Sequence, residues 1–293
     1  MYKLLFVLAV LSHSLLSAQP TTEKPRIILG QCQRGSLAAA PFDRWFDSTY
    51  TAYQPDAAIT EQLKKQSLED VKVEVFFGTW CGDSRREVPA FLKLLDRIGF
   101  PEKNLTLIGV GNADTLLKQS PEHEEEGKGI FRVPVMIFYH DGREINRINE
   151  FTAYSLEKDM LDILTHSSYH PNYRSFALIR QWMNDGTLDN RLISARSLAG
   201  RLETMIRDRH ELNSLGKVLL KQDKKQQALR VFHINYYLFP ESPDITRSFG
   251  EALIENGEYS RAVRALERTL ELNTDPKAVK EILEILYKAK EKS

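Results

Sequence analysis

Residues 71–89 read V-K-V-E-V-F-F-G-T-W-C-G-D-S-R-R-E-V-P. The first seven residues alternate between valine and a charged residue and then end in two phenylalanines, a pattern typical of a strand that enters a buried sheet. Gly78 and Thr79 interrupt this pattern, and apolar residues recur at helical spacing across residues 88–98. The stretch therefore predicts a strand, a short loop and a helix, with Cys81 close to the start of the helix.

The predicted position of Cys81 favours a reactive sulfur. At a helix N-terminus the first backbone N–H groups have no intrahelical partner, and together with the helix dipole they favour a thiolate over a thiol. Arg85 and Arg86 add positive charge one turn into the helix, whereas Asp83 opposes it. We predict that Cys81 is the catalytic nucleophile of this chain.

Two segments of the chain resemble the thioredoxin-like fold family. Residues 80–84, W-C-G-D-S, resemble the family's active-site segment, whose usual signature is Trp-Cys-Gly-Pro-Cys, and Pro89 stands where the family commonly has a helix-kinking proline. Residues 131–144, F-R-V-P-V-M-I-F-Y-H-D-G-R-E, resemble its cis-proline loop, the following strand, an Asp-Gly turn and the last strand. The resemblance covers about residues 60–168 and implies an α/β sandwich with a central mixed sheet flanked by helices.

The sequence departs from the family's pattern at positions that matter for chemistry. Ser84 replaces the second cysteine of the pair, and Asp83 replaces the proline between the two cysteines. Val75 stands where thioredoxins often have a buried aspartate. The chain is thus a monothiol variant, without a resolving thiol or a buried proton acceptor at these positions.

The resemblance implies thiol–disulfide exchange, in which the Cys81 thiolate attacks a disulfide sulfur and forms a mixed disulfide. The backbone of Val133 would pair with an incoming peptide as a short strand, opposite Cys81. The residues that we expect to contact the substrate are Trp80, Gly82, Asp83, Ser84, Val133 and Pro134.

The sequence does not determine which group resolves the mixed disulfide, because the Ser84 hydroxyl is not a thiolate at neutral pH. An external small thiol or another reductant could resolve the adduct, or Cys32 could act as the resolving cysteine. In the third alternative the site does not catalyse repeated turnover, and the domain only binds partners through the groove beside Cys81. Cys32 is also consistent with a loop thiol or a structural bridge.

Two functions therefore remain, and whether the chain is an enzyme is uncertain. The first is a thiol–disulfide oxidoreductase or isomerase that forms mixed disulfides with protein or peptide clients through Cys81. The alternative is a non-catalytic protein-binding module. We predict no cofactor and no metal site, since His123 stands among carboxylates without a second histidine nearby.

The composition and the first residues of the chain limit its expected partners and its cellular location. The 293 residues suggest two domains, and 40 basic against 40 acidic residues give no electrostatic case for a nucleic acid or a membrane surface. Residues 1–18 resemble a secretory signal cut after Ala18, which predicts a periplasmic or secreted protein. No other segment is expected to span a membrane, and Gln31 before Cys32 argues against a lipid anchor.

The remaining sequence divides into a linker at residues 19–40, a thioredoxin-like domain at 41–168, a helical connector at 169–207 and repeats at 208–293. The connector is expected to contain a helix over about residues 189–207. The repeats have a period of 34, as Gly216 and Gly250 illustrate, and they resemble tetratricopeptide repeats closed by a capping helix. Such repeats imply a concave surface for extended peptides or protein partners.

Overall fold

A computed structural model describes residues 26–113 and 115–293 of the chain. The predicted signal peptide, residues 1–18, and the first part of the predicted linker lie outside these residues. Within the two described ranges, no helix combines the length and the apolar character that crossing a membrane requires.

The N-terminal half is built on a mixed sheet of five strands in the spatial order β1-β3-β2-β4-β5. Strand β2 is parallel to β3, and every other neighbouring pair is antiparallel. The segment that opens with Val71 therefore forms the central strand. In chain order the strands are β1 (Gly30–Cys32), β2 (Val71–Phe77), β3 (Leu105–Gly109), β4 (Val135–His140) and β5 (Arg143–Asn149).

Edge strand β1 lies within the predicted linker, and the linker prediction is wrong for these residues. Gly30 pairs with Gly109 of β3, and Cys32 pairs with Leu107. A three-residue strand is too short to show the alternation that identifies strands in a sequence. The close approach of the chain depends on Gly109, because a Cβ atom there would lie 2.3 Å from the carbonyl oxygen of Ile28.

The two faces of the sheet bury separate apolar clusters. Val73, Val75 and Phe77 of β2 belong to the larger cluster, which also contains buried side chains of four helices. Phe76 belongs to the smaller cluster, formed by β3, β4 and the loop before β4. Among the described residues, no side chain of the four helices joins the smaller cluster. These helices are α1 (Asp43–Ala52), α2 (Ala57–Leu63), α3 (Gly82–Ile98) and α4 (Leu156–Leu164).

The C-terminal half is helical, so that the chain has an α/β half followed by a helical half, as predicted. The helix expected over residues 189–207 is shorter than predicted and begins after Ser194, whose hydroxyl accepts a hydrogen bond from the Ser197 amide. The seven helices are α5 (Arg174–Asn184), α6 (Ala195–Leu202), α7 (His210–Lys221), α8 (Lys225–Leu238), α9 (Pro243–Glu255), α10 (Tyr259–Leu272) and α11 (Pro276–Lys290).

The 34-residue period corresponds to two helical hairpins with the same close contact. Gly216 of α7 faces the ring of Phe232 in α8, and Gly250 of α9 faces Leu266 in α10. A Cβ atom would lie 2.7 Å from Phe232 in the first hairpin and 3.0 Å from Leu266 in the second. The missing side chain lets each pair of helices pack closely. Helix α11 then covers Leu266 with an apolar face that includes Ile282.

Gly216→Ala is expected to lower the free energy of unfolding by about 1–3 kcal/mol, because the new methyl group must displace the buried ring of Phe232. The matched control is Gly200→Ala in α6, where a Cβ atom meets nothing within 4 Å. There the better helix propensity of alanine should raise stability by about 0.5–1 kcal/mol. Equal shifts of the thermal unfolding midpoint in the two variants would contradict the close contact in the first hairpin.

Candidate functional site

Cys81 lies at the junction between β2 and α3. It is the N-cap residue of α3, with extended backbone angles, and its amide donates a hydrogen bond to the Gly78 carbonyl at 2.9 Å. Its own carbonyl accepts the first hydrogen bond of the helix, from the Arg85 amide at 3.1 Å. Cys81 is half-buried, and its position at the N-cap places it next to the first turn of the helix, where the backbone N–H groups have no intrahelical partner.

The structure brings Cys81 next to the predicted proline bend, 52 positions away in the sequence. The Cys81 thiol donates to the Val133 carbonyl, with Sγ and the oxygen 3.4 Å apart, and the Val133–Pro134 peptide bond is cis. Val133 is only 2 % exposed. Its carbonyl is thus engaged by the thiol and its side chain is covered, which differs from the open backbone edge that the sequence predicts.

Trp80 forms one wall of the site. Its indole N–H donates to the Val110 carbonyl at 2.8 Å, and its ring lies against Gly78, where a Cβ atom would be 2.5 Å from the ring. A side chain at position 78 would clash with the Trp80 ring, so this close approach requires Gly78. Trp80 and Cys81 both pack on the smaller apolar cluster of the sheet.

The other predicted contact residues have local structural partners. The buried Ser84 hydroxyl accepts a hydrogen bond from the Gly78 amide at 3.1 Å, so it holds the loop that carries Cys81. Gly82 is exposed in the first turn of α3. Asp83 pairs with Arg86 at 2.8 Å, and Arg86 also binds Glu87 at 2.8 Å. The hydrogen bond with Glu87 is the larger of the two effects that raise the pKa of Arg86, and the hydrogen bond with Asp83 adds to it.

The structure does not bring Cys32 to Cys81, and both cysteines are free thiols. Cys32 pairs with Leu107, which in turn pairs with Val75 of β2, well before the end of that strand. Cys32 packs on the larger apolar cluster, whereas Cys81 packs on the smaller one. Burial raises the pKa of the Cys32 thiol to about 11. A protonated thiol in this position is a poor nucleophile.

Sequence reasoning missed Lys118, which lies close enough to Cys81 for an electrostatic interaction. Burial lowers the pKa of Lys118, and the positive charges of Arg132 and Lys217 lower it further. Lys118 lies in the polar loop between β3 and β4, where the sequence shows no periodicity. Only the folded loop reveals its proximity to the sulfur.

Arg132, next to the proline bend, joins the two halves of the molecule. Its Nε donates to the Ser214 hydroxyl of α7 at 3.0 Å, and its guanidinium pairs with Glu150 at 3.3 Å. The Glu150 amide in turn donates to the Pro134 carbonyl at 2.6 Å. The helical half therefore contributes directly to the surroundings of Cys81.

Residues that could hold a metal are not clustered in the part of the chain that the structure describes. His123 lies 3.4 Å from Glu125, but the Glu125 carboxylate already accepts hydrogen bonds from the Ser120 amide and hydroxyl. The Glu125 carboxylate is thus held by the loop itself.

Comparison with protein-family models, with curated proteins and with solved structures gave no match to this chain. The site's chemistry is therefore argued from its own geometry.

The burial of Cys32 predicts that the two thiols differ in reactivity. In the native protein at about pH 8, 5,5′-dithiobis(2-nitrobenzoate) should modify Cys81 promptly and Cys32 slowly, because the raised pKa of the half-buried Cys32 thiol keeps it protonated. Cys81→Ser should remove the prompt phase and Cys32→Ser the slow one. A prompt reaction that survives Cys81→Ser would contradict this assignment, and denaturant should make both thiols react promptly.

Proposed function

We propose that this chain is an exported thiol–disulfide exchange protein with a thioredoxin-like α/β half and tetratricopeptide-like repeats, and that Cys81 is its single nucleophile. One observation carries the proposal: Cys81 is the N-cap residue of α3, and its half-buried thiol lies 3.4 Å from the Val133 carbonyl in the bend that precedes β4. Export rests on the signal-like residues 1–18 of the sequence alone.

The likeness to the thioredoxin fold is supported by the order of the elements around the site. A buried central strand leads into the cysteine and then a long helix, and the Val133–Pro134 bend precedes an antiparallel hairpin. The likeness is incomplete on one face, where the described members of the smaller cluster come from strands and loops and not from a helix. The repeat half is supported by the recurrence of Gly216 and Phe232 as Gly250 and Leu266.

The first chemical step is attack by the Cys81 thiolate on one sulfur of a client's disulfide. A bond forms between Cys81 Sγ and that sulfur, and the client's second sulfur leaves as a thiolate that takes up a proton. The free N–H groups at the start of α3 stabilise the attacking anion. The half-exposed indole of Trp80 supplies an apolar wall beside the sulfur.

The second step needs a thiol from outside the chain. Ser84 has no thiol, and Cys32 is half-buried, protonated and packed on the other cluster of the sheet. A small thiolate RS⁻ attacks Cys81 Sγ, forms the Cys81–S–S–R disulfide and expels the client as a thiolate. A second RS⁻ attacks the R sulfur, which yields RSSR and restores the Cys81 thiolate. Electrons thus pass from two small thiols to one client disulfide.

A non-catalytic binding module is the second candidate, and the Ser84 contact favours it. The Ser84 hydroxyl accepts a hydrogen bond from the Gly78 amide and therefore has a structural role, and a hydroxyl in place of a thiol cannot release a covalent client. In this case partners bind to the helical repeats and to the surface around Cys81 without a covalent bond. Their binding would then survive removal of the thiol.

Mixed disulfides provide the test of the proposed function. Cells that express the full chain are quenched with N-ethylmaleimide, and adducts are resolved on non-reducing gels and identified by mass spectrometry. Cys32→Ser should keep the adducts, and Cys81→Ser should abolish them. Partners that remain bound to the Cys81→Ser protein, with no adduct in the Cys32→Ser protein, would favour the binding module and overturn the exchange function.

Ser84→Cys should convert the site into a dithiol that releases its own adducts. The introduced sulfur lies one helical turn from Cys81 and can attack the mixed disulfide without an external thiol. Adducts should then decay in the absence of small thiols, whereas the control Ser84→Ala should keep them. Ser84→Ala leaves the Gly78 amide unpaired and should cost about 1–3 kcal/mol of stability. An unchanged adduct lifetime in Ser84→Cys would count against attack at the Cys81 sulfur.

A further inference from the structure

We infer that the mouth of the Cys81 site selects a small thiol or disulfide that carries carboxylates, through Lys118 and Lys217 from the two halves of the chain. This inference rests on the proposed function, because it names the class of small thiol that resolves the Cys81 adduct. Lys118 interacts electrostatically with Cys81, and the positive charges of Arg132 and Lys217 act on Lys118.

The loop after β3 places Lys118 on the Trp80 side of the sulfur. Trp80 is anchored to the Val110 carbonyl, and the next residue, Gly111, exchanges two backbone hydrogen bonds with the far end of the loop. The Lys118 amide donates to the Gly111 carbonyl at 2.8 Å, and the Gly111 amide donates to the Gln119 carbonyl at 2.9 Å. Lys118 is therefore held in place by the backbone.

Helix α7 supplies the opposite side of the mouth. Arg132, adjacent to Val133, binds the Ser214 hydroxyl at 3.0 Å and the His210 carbonyl at 3.5 Å. Lys217 follows Ser214 by three residues on the same helix and therefore lies on the same face, one turn further along. The contact of Arg132 with α7 thus brings Lys217 to the site.

The charges at the mouth do not cancel. Arg132 is paired with Glu150, which also accepts a hydrogen bond from the Tyr173 hydroxyl. Across residues 26–113 and 115–293, neither Lys118 nor Lys217 has a carboxylate within ion-pair distance. Two positive charges therefore remain, and that of Lys118 lies close enough to Cys81 for an electrostatic interaction. Because Lys118 is half-buried, its field at the sulfur is screened less by salt than that of a fully exposed lysine.

The shape of the mouth favours a small ligand over an extended peptide. The Val133–Pro134 bend is buried, and the Val133 carbonyl already receives the Cys81 thiol. The Cys81 sulfur and the Trp80 ring stay half-exposed. A ligand can thus bring its sulfur to Cys81 end-on, with its carboxylates next to Lys118 and Lys217.

Three small disulfides with the same two-carbon spacer test the inference. Dithiodipropionate carries two carboxylates, bis(2-hydroxyethyl) disulfide is neutral, and cystamine carries two ammonium groups. The rate of adduct formation at Cys81 is measured by mass spectrometry in full-length Cys32→Ser protein. Each rate is divided by the rate of the same disulfide with 2-mercaptoethanol, which removes differences in intrinsic reactivity. We expect the anionic disulfide to exceed the cationic one by about tenfold at low salt, and by less at high salt.

Substitutions that remove the lysine charges test whether Lys118 and Lys217 cause the selectivity. Lys118→Gln combined with Lys217→Gln should bring the three normalised rates to within about twofold of one another, and Lys217→Gln alone should have an intermediate effect. The control Lys280→Gln, an exposed lysine on α11, should leave the spread unchanged. A circular dichroism spectrum and a thermal unfolding midpoint close to those of the Cys32→Ser protein show that each variant is folded.

Equal normalised rates in the Cys32→Ser protein, or a spread that persists in the double lysine variant, would overturn this inference and leave the proposed function intact. Failure of Cys81 to react with any of the three disulfides would instead overturn the proposed function itself, and the inference with it. The two failures are therefore distinguishable.

Discussion

The contact between the Cys81 thiol and the Val133 carbonyl is the interaction on which the rest of the site depends. It joins the loop after the central strand to the bend before β4, and each side has its own supports. Ser84 holds the cysteine loop from within α3, and Glu150 holds the bend through the Pro134 carbonyl. A half-exposed sulfur can occupy this fixed position only because both loops are tied to the rigid sheet.

The two faces of the sheet differ in the elements that pack against them. The larger cluster contains side chains from α1–α4 and from alternate positions of β2, and it supplies most of the apolar burial of the α/β half. Among the described residues, no helical side chain belongs to the smaller cluster, and the segment between β3 and β4, which contributes Val110, Ile130 and Val133 to it, also carries Lys118 and Arg132. Because Arg132 binds α7, the helical half is part of the surroundings of Cys81.

The parts of the fold that repeat or alternate could be predicted from the sequence. The alternation in β2 and the 34-residue period are local patterns, and each element lies where its pattern predicts. Strand β1 was missed because three residues carry no period, and its place depends on Gly109 across the sheet. Lys118 was missed because its role depends on the tertiary fold of a loop without local periodicity. The Cys81–Val133 contact could be anticipated only through the family resemblance.

The account depends most on the claim that the start of α3 makes Cys81 a good nucleophile. The direct measurement is the rate of iodoacetamide labelling of Cys81 from about pH 6 to pH 9 in the Cys32→Ser protein, beside the same reaction of a free small thiol. The account predicts that Cys81 labels faster than the free thiol at about pH 7, where few ordinary thiols are ionised. Labelling slower than the free thiol across this range would show that the sulfur is only a packed side chain.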